Sequence, residues 1–267
     1  MIVLKYDDDK ITNELHNDLS LIKAEAKKKF KKQLLKIIAS GITSKEYVFD
    51  YEVTTPNNNK WAVTTRVKAN RNTPIQTNAC CIVESNKNRD YLILRGTTYG
   101  GKFFVRVISH AISRMKERDK RAFSHIPSGG VCNRIFKPNE SGFMFYTNKE
   151  DVEQFWSEDV KEDVNAMIVT SSGVYFGKQF KNLDDGACHI DIKTFVNPEK
   201  LATHEQHDMY RCGCANIQMT KHLINVKKGN DMISFIKKNH ESERLMKIIE
   251  EYKNEFLFIE GSLEIPE

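Results

Sequence analysis

The chain has 267 residues with 40% apolar, 29% charged and 10% aromatic content, the composition of a globular protein that can bury a sizeable core rather than of a disordered chain. No run approaches the roughly 18 consecutive apolar residues that a bilayer span requires. The opening Met1-Ile2-Val3-Leu4-Lys5-Tyr6 runs at once into three aspartates, too short an apolar stretch for a signal peptide. The expectation is therefore a cytoplasmic protein with no membrane partner, whose six cysteines are thiols or metal ligands.

A formal net charge of +5 permits nucleic-acid binding without requiring it. Its distribution says more. Residues 21–36 hold Lys23, Lys27, Lys28, Lys29, Lys31, Lys32 and Lys36 against Glu25, a net of +6, whereas Glu241 to Glu267 carry eight glutamates against Arg244, Lys247 and Lys253, a net of −5.

In chain order, residues 9–40 read as one amphipathic helix. Leu15, Leu19, Ile22, Ala26, Phe30, Leu34 and Ile37 fall on one stripe, Asp9 or Thr12 is placed to cap the start, and Gly41 to end it. The lysines lie on the other face, which is either a solvated surface or a phosphate-contacting one. Alternation predicts strands at Tyr47 to Thr55 and Lys60 to Lys68 across the turn Pro56-Asn57-Asn58-Asn59, then at Asn78 to Glu84 and Asp90 to Leu94. Together these make an antiparallel meander packed on the first helix.

A second unit begins with a strand at Lys102 to Ile108 that leads into a short helix at His110 to Arg118. Strands follow at Phe143 to Tyr146, Asn165 to Thr170, Val174 to Phe180 and His189 to Val196. Helices are predicted from Pro198 to Arg211, with Asn197 as cap, then at Cys214 to Val226, Met232 to Asn239 and Ser242 to Phe256. The organisation expected is α+β. A helix-plus-meander part covers 1–100, an antiparallel α+β unit 101–197, and a helical C-terminal part 198–267.

No Walker-type phosphate loop, dinucleotide fingerprint, Gly-x-Ser-x-Gly elbow or His-Glu-x-x-His occurs, which argues against the commonest nucleotide-dependent and hydrolase classes. The most specific stretch is Ser109-His110-Ala111-Ile112-Ser113-Arg114-Met115-Lys116-Glu117-Arg118. On a helix, His110, Arg114 and Arg118 project along one side. An imidazole titrating near neutrality can move the protons of RNA cleavage, and a guanidinium can hold two phosphate oxygens as charge develops. The plainer alternative is that the arginines pair with carboxylates and His110 caps the helix.

The order of strand, His-Ala-x-x-Arg-Met-x-Glu-Arg helix and antiparallel strands resembles RelE-like and BrnT-like toxin domains of the barnase–EndoU–colicin–RelE nuclease class, over residues 102–196. The resemblance implies a metal-independent endoribonuclease with no cofactor. His110 would be general acid or base, Arg114 the phosphate clamp and Thr194 a phosphate or histidine partner. Arg118, Tyr175, Lys178 and Lys193 would contact RNA, and an antitoxin-like partner protein would be conceivable. The chain departs from compact toxins of that class in the long segments on either side of the motif and in the insert from Arg121 to Val164. The alternative function is a non-catalytic nucleic-acid-binding or accessory protein of a phage or mobile element.

A further constellation, His204-x-x-His207-x4-Cys212-x-Cys214, has ligand types that suit a structural zinc ion, though Cys-Gly-Cys is not a standard knuckle spacing. Leu245, Ile248, Ile249 and Tyr252 form a stripe for packing on the body. The apolar run Phe256-Leu257-Phe258-Ile259 after it is suited to docking on the core or on a partner.

Overall fold

The computed structural model describes residues 2, 8–41, 46–69, 74–85, 88–96, 102–118, 143–146, 163–170, 173–181, 188–227 and 247. Helix α1 (Asp8–Ala39) is followed by strands β1 (Glu46–Thr54), β2 (Lys60–Lys68), β3 (Ile75–Ser85), β4 (Asn88–Gly96) and β5 (Lys102–Val107). Helix α2 (Ser109–Arg118), strands β6 (Phe143–Tyr146), β7 (Asp163–Thr170), β8 (Gly173–Lys181) and β9 (Cys188–Val196), a 3-10 turn (Pro198–Lys200) and helix α3 (His204–Lys227) complete the described elements. The architecture is α+β.

All nine strands join in one mixed sheet, ordered β1-β2-β3-β4-β5-β9-β8-β7-β6. Neighbours are antiparallel except β5 and β9, whose parallel register sets Phe104 beside His189 and Val107 beside Ile192. The expected boundary near residue 100 therefore falls inside one continuous sheet, and the second unit is not purely antiparallel.

Alternation along the strands decides which helix covers which face. Strand β2 sends Trp61 and Val63 into a core with Ile11, Leu15 and Ile22 of α1, while Ala62 between them joins Ala111, Ile112 and Met115 of α2. Likewise β7 gives Met167 and Val169 to Met209, Cys212 and Ile217 of α3, and Ile168 to the α2 side. Phe176, packed with the α3 cluster, shares its strand face with Phe180, which stacks on His189 beside the first turn of α1. So α1 and α3 lie on one face and α2 on the other. Burying a side chain the size of Leu15 or Ile22 contributes roughly 1.5–3 kcal/mol, which is how a polar, lysine-rich helix is held to the sheet.

The predicted stripe of α1 is the buried one, with Ile11 added and with Leu19 and Leu34 only partly covered. Gly41, at φ +68°, ends the helix as a left-handed C-terminal residue that glycine adopts without strain. The helix predicted from Pro198 starts at His204 instead, after the 3-10 turn, where Asn197 makes no side-chain cap bond. It then runs unbroken through Gly213 into the next predicted helix, because Met209, Cys212 and Ile217 press on the sheet and outweigh the roughly 1 kcal/mol cost of a helical glycine. The predicted helices at 232–239 and 242–256 lie outside the described residues, apart from Lys247, which is helical. Cys80 is disulfide-bonded, contrary to the expectation of thiols or metal ligands, whereas Cys81, Cys212 and Cys214 are free.

One charged side chain sits within the apolar stripe of α1. Asp18 is fully buried. Its Oδ2 accepts hydrogen bonds from the Thr55 hydroxyl (2.8 Å), Asn59 Nδ2 (2.7 Å) and the Trp61 indole (3.2 Å), and its Oδ1 accepts one from Asn57 Nδ2 (3.1 Å). These donors all belong to the β1–β2 turn and the strand ends beside it. The turn closes through Thr55 N donating to Asn59 O, with Asn58 at φ +59°, a conformation asparagine tolerates better than most residues. Removing the carboxylate leaves several buried donors without an acceptor, so Asp18→Ala should cost on the order of 3 kcal/mol and Thr55→Val nearer about 1 kcal/mol. Urea denaturation checks this; a loss in Asp18→Ala no larger than that in Thr55→Val would sink the assignment.

Candidate functional site

The residues expected to form a nuclease site do not converge. Strand β5 runs into α2, which places His110 exposed in the first turn of the helix. Arg114 is held by Glu117, Nη1 to Oε2 at 2.9 Å, and the side chain of Arg118 lies outside what the structure describes. Thr194 pairs across the sheet with Phe176 and so belongs to the α3 face. Its neighbour Phe195 faces α2 instead. Thr194 is thus on the side of the sheet opposite to His110 and Arg114. Tyr175 is buried in the α2-side core against Phe195, with no ring face left for a base. Lys178 pairs with Asp163 at 2.8 Å, and Lys193 is exposed where the β8–β9 register slips by one residue.

The proposed metal ligands also separate. Successive turns of α3 leave His204 and His207 in solvent, while Cys212 points into the sheet contact. Burial pushes the Cys212 thiol up to about 11, so it stays protonated at neutral pH. Among the described residues no group of three or more histidine, cysteine or acidic side chains is arranged to hold a metal ion.

The structure assembles a different polar cluster on the α1 face, where β5 meets β9. His189 lies between the rings of Phe104 and Phe180, each stacked at 4.9 Å. Its Nδ1 is 2.6 Å from Oδ2 of Asp8 in the first turn of α1, and its Nε2 is 3.7 Å from Oδ1 of Asp191. Arg106 Nη1 reaches Asp191 Oδ2 at 3.4 Å, and its Nε and Nη2 reach Asp90 Oδ2 at 3.1 and 2.9 Å. The other oxygen of Asp90 accepts the backbone N–H of Ser109 at 3.0 Å, satisfying one of the open donors at the start of α2.

This cluster has the residue types of a general acid–base site, but most of its groups are spent on one another; Asp191 Oδ1 alone is buried without a hydrogen-bond partner among the described side chains of the cluster. Arg106 is engaged by two carboxylates and has no free fork for a phosphate. Both imidazole nitrogens face carboxylates. Its evident work is to tie the first turn of α1, the β5–β9 junction and the start of α2 together. The sequence carried a signal for it: His189, Asp191 and Lys193 alternate with isoleucines on one strand. That pattern reads as a solvent-facing edge, whereas the first turn of α1 and Arg106 cover part of it.

The remaining concentration of functional groups is the outer side of α1. Lys27, Lys28, Lys31, Lys32 and Lys36 are exposed, and among the described residues none has a carboxylate partner. Lys29 leans back, its Nζ 4.5 Å from the Tyr51 ring centre. Partial burial and the neighbouring charge of Lys27 lower the Lys23 ammonium below the usual lysine range.

Asp191 supplies a pH test of the polar cluster. Burial raises its carboxyl above the ordinary range, with Asp90 adding to the shift and Arg106, His189 and Lys193 opposing it. A carboxyl raised in the fold binds its proton more tightly there than in the unfolded chain. Its contribution is full below the ordinary carboxylate range and is lost as pH rises through the folded value. Wild type should therefore gain stability relative to Asp191→Asn as pH falls from about 7 to about 4. Urea midpoints that differ by the same amount at both pH values would refute this. Comparison with protein families, with curated proteins and with solved structures finds no match to this chain in any of the three.

Proposed function

We propose that the protein binds nucleic acid, RNA foremost, through the outer face of α1. One observation carries the reading: five lysines within ten residues of one helix stand in solvent with no carboxylate partner among the described residues. Unneutralised ammonium groups crowded on a rigid helix repel one another, and a polyanion relieves that repulsion while releasing its own counterions. If all five reach phosphates, the logarithm of the affinity for a single strand falls with the logarithm of salt at a slope near about −3.5. Replacing Lys28 and Lys31 by glutamate should lower affinity for an oligouridylate at least about ten-fold at moderate salt and flatten that slope. Fluorescence anisotropy across a salt series checks both; binding that ignores salt and these substitutions removes the reading.

A toxin-like endoribonuclease is the second reading. It is favoured by the exposure of His110 at the start of α2 and by the adjacency of β5, α2 and β7–β9 in one half of the sheet. It needs a partner for His110 other than Thr194. Wild type incubated with total RNA in excess chelator should then yield fragments with 2′,3′-cyclic phosphate ends, and His110→Ala none. Equal cleavage by both proteins, or cleavage by neither, counts against it.

A further inference from the structure

The outer face of α1 is not only basic. Leu21, Leu35 and Ile38 are 49%, 56% and 52% exposed on a helix whose inner face already fills a core. With Ala24, Lys28 and Lys31 they fall at positions 21, 24, 28, 31, 35 and 38, alternating steps of three and four. That spacing lays one straight seam along the helix, the spacing by which a helix meets a partner. All six side chains are exposed. The seam is apolar at its ends and cationic in its middle, and Lys27 and Lys32 flank it. A second copy of α1 laid along it antiparallel would bring Lys28 and Lys31 against the same two lysines. The occupant that fits is apolar and acidic.

We propose that the chain's own segment Glu255 to Glu267 docks on this seam and competes with nucleic acid for it, a regulation that rests on the binding reading above. In that segment Phe256, Leu257, Phe258, Ile259, Leu263 and Ile265 are interleaved with Glu255, Glu260, Glu264 and Glu267, and there is no lysine or arginine. The seam from Leu21 to Ile38 is about 25 Å long at 1.5 Å per helical residue, and thirteen residues of chain cover that length. The segment can also reach it. Helix α3 and α1 lie on the same face of the sheet, over β7 and over β2–β3 respectively. About five strand spacings, some 24 Å, separate those strands, and the length of chain between Lys227 and Glu255 exceeds that even at the roughly 1.5 Å per residue of a helix. Docking pairs the glutamates with the lysine charges and covers Leu21, Leu35 and Ile38. Nucleic acid and elevated salt both weaken the ionic part of that contact.

The test uses the full chain. Zero-length carbodiimide coupling, followed by peptide mapping of the monomer band, should join peptides holding Lys27 to Lys32 to those holding Glu255 to Glu264. The paired substitution Leu257→Ser and Ile259→Ser, which leaves the charge unchanged, should abolish these cross-links. It should also tighten binding of an oligouridylate by up to about ten-fold, as expected if the cover is closed about nine-tenths of the time. Absence of the cross-links overturns the proposal. Cross-links confined to a dimer band overturn it as well, by making a second copy the occupant, and unchanged affinity in the paired variant overturns the competition. If Lys28→Glu and Lys31→Glu do not weaken nucleic-acid binding, the binding reading fails separately, and the cross-links still decide whether the segment docks.

Discussion

The whole arrangement hangs on a buried carboxylate held by neutral donors rather than by a described lysine or arginine. Asp18 sits in the middle of the apolar stripe of α1 and collects four neutral donors from the β1–β2 turn and its flanks. A buried carboxylate is tolerable only when it is well hydrogen-bonded, so the turn, the start of β2 and the helix fix one another's positions. Asn59 extends the tie, donating to Glu14 and accepting the backbone N–H of Ile2. Hydrophobic burial supplies the attraction between α1 and the sheet, but it is indifferent to sliding. The Asp18 bonds set the register, and with it which lysines face outward.

Charge is sorted by depth across the molecule. The buried and half-buried acids, Asp8, Asp18, Asp90 and Asp191, are turned inward against donors, an imidazole or a guanidinium. The lysines of α1 are turned outward. A formal charge of only +5 for the chain therefore understates the field above the outer face of α1, whose five lysines have no carboxylate partner among the described residues.

Much of this was legible in the residues. The period of α1, its stop at Gly41, the hairpin at Asn57 to Asn59 and most strands followed from alternation and turn chemistry, which are local signals. What could not be read was decided by distant partners. The β5–β9 pairing joins segments far apart in the chain, and nothing local specifies a parallel neighbour. Thr194 was expected to partner a phosphate or His110, but the extra residue at Lys193 shifts the alternation of β9 and turns Thr194 to the α3 face. Tyr175 and Cys212 have polar groups that suggested exposed roles, and the packing of α2 and α3 claimed both. His189 and Asp191 stand on a strand face that looked solvent-directed until Asp8 and Arg106 were placed over it.

The single parallel pair has a consequence for how the molecule assembles. The meander from β1 to β5 and the hairpins from β6 to β9 each form from neighbours in sequence, but joining them closes a loop in which Arg106 and Asp191 are 85 residues apart. The entropy of bringing such ends together is on the order of 4 kcal/mol, and it must be met before the contacts across β5 and β9 return anything. The two halves should therefore form early and meet late. The contact between Arg106 and Asp191 lies across that last seam, and the parallel register of β5 and β9 sets it in place only when the two edges meet. The cluster that looked like chemistry is thus a set of contacts that only the joined halves can make.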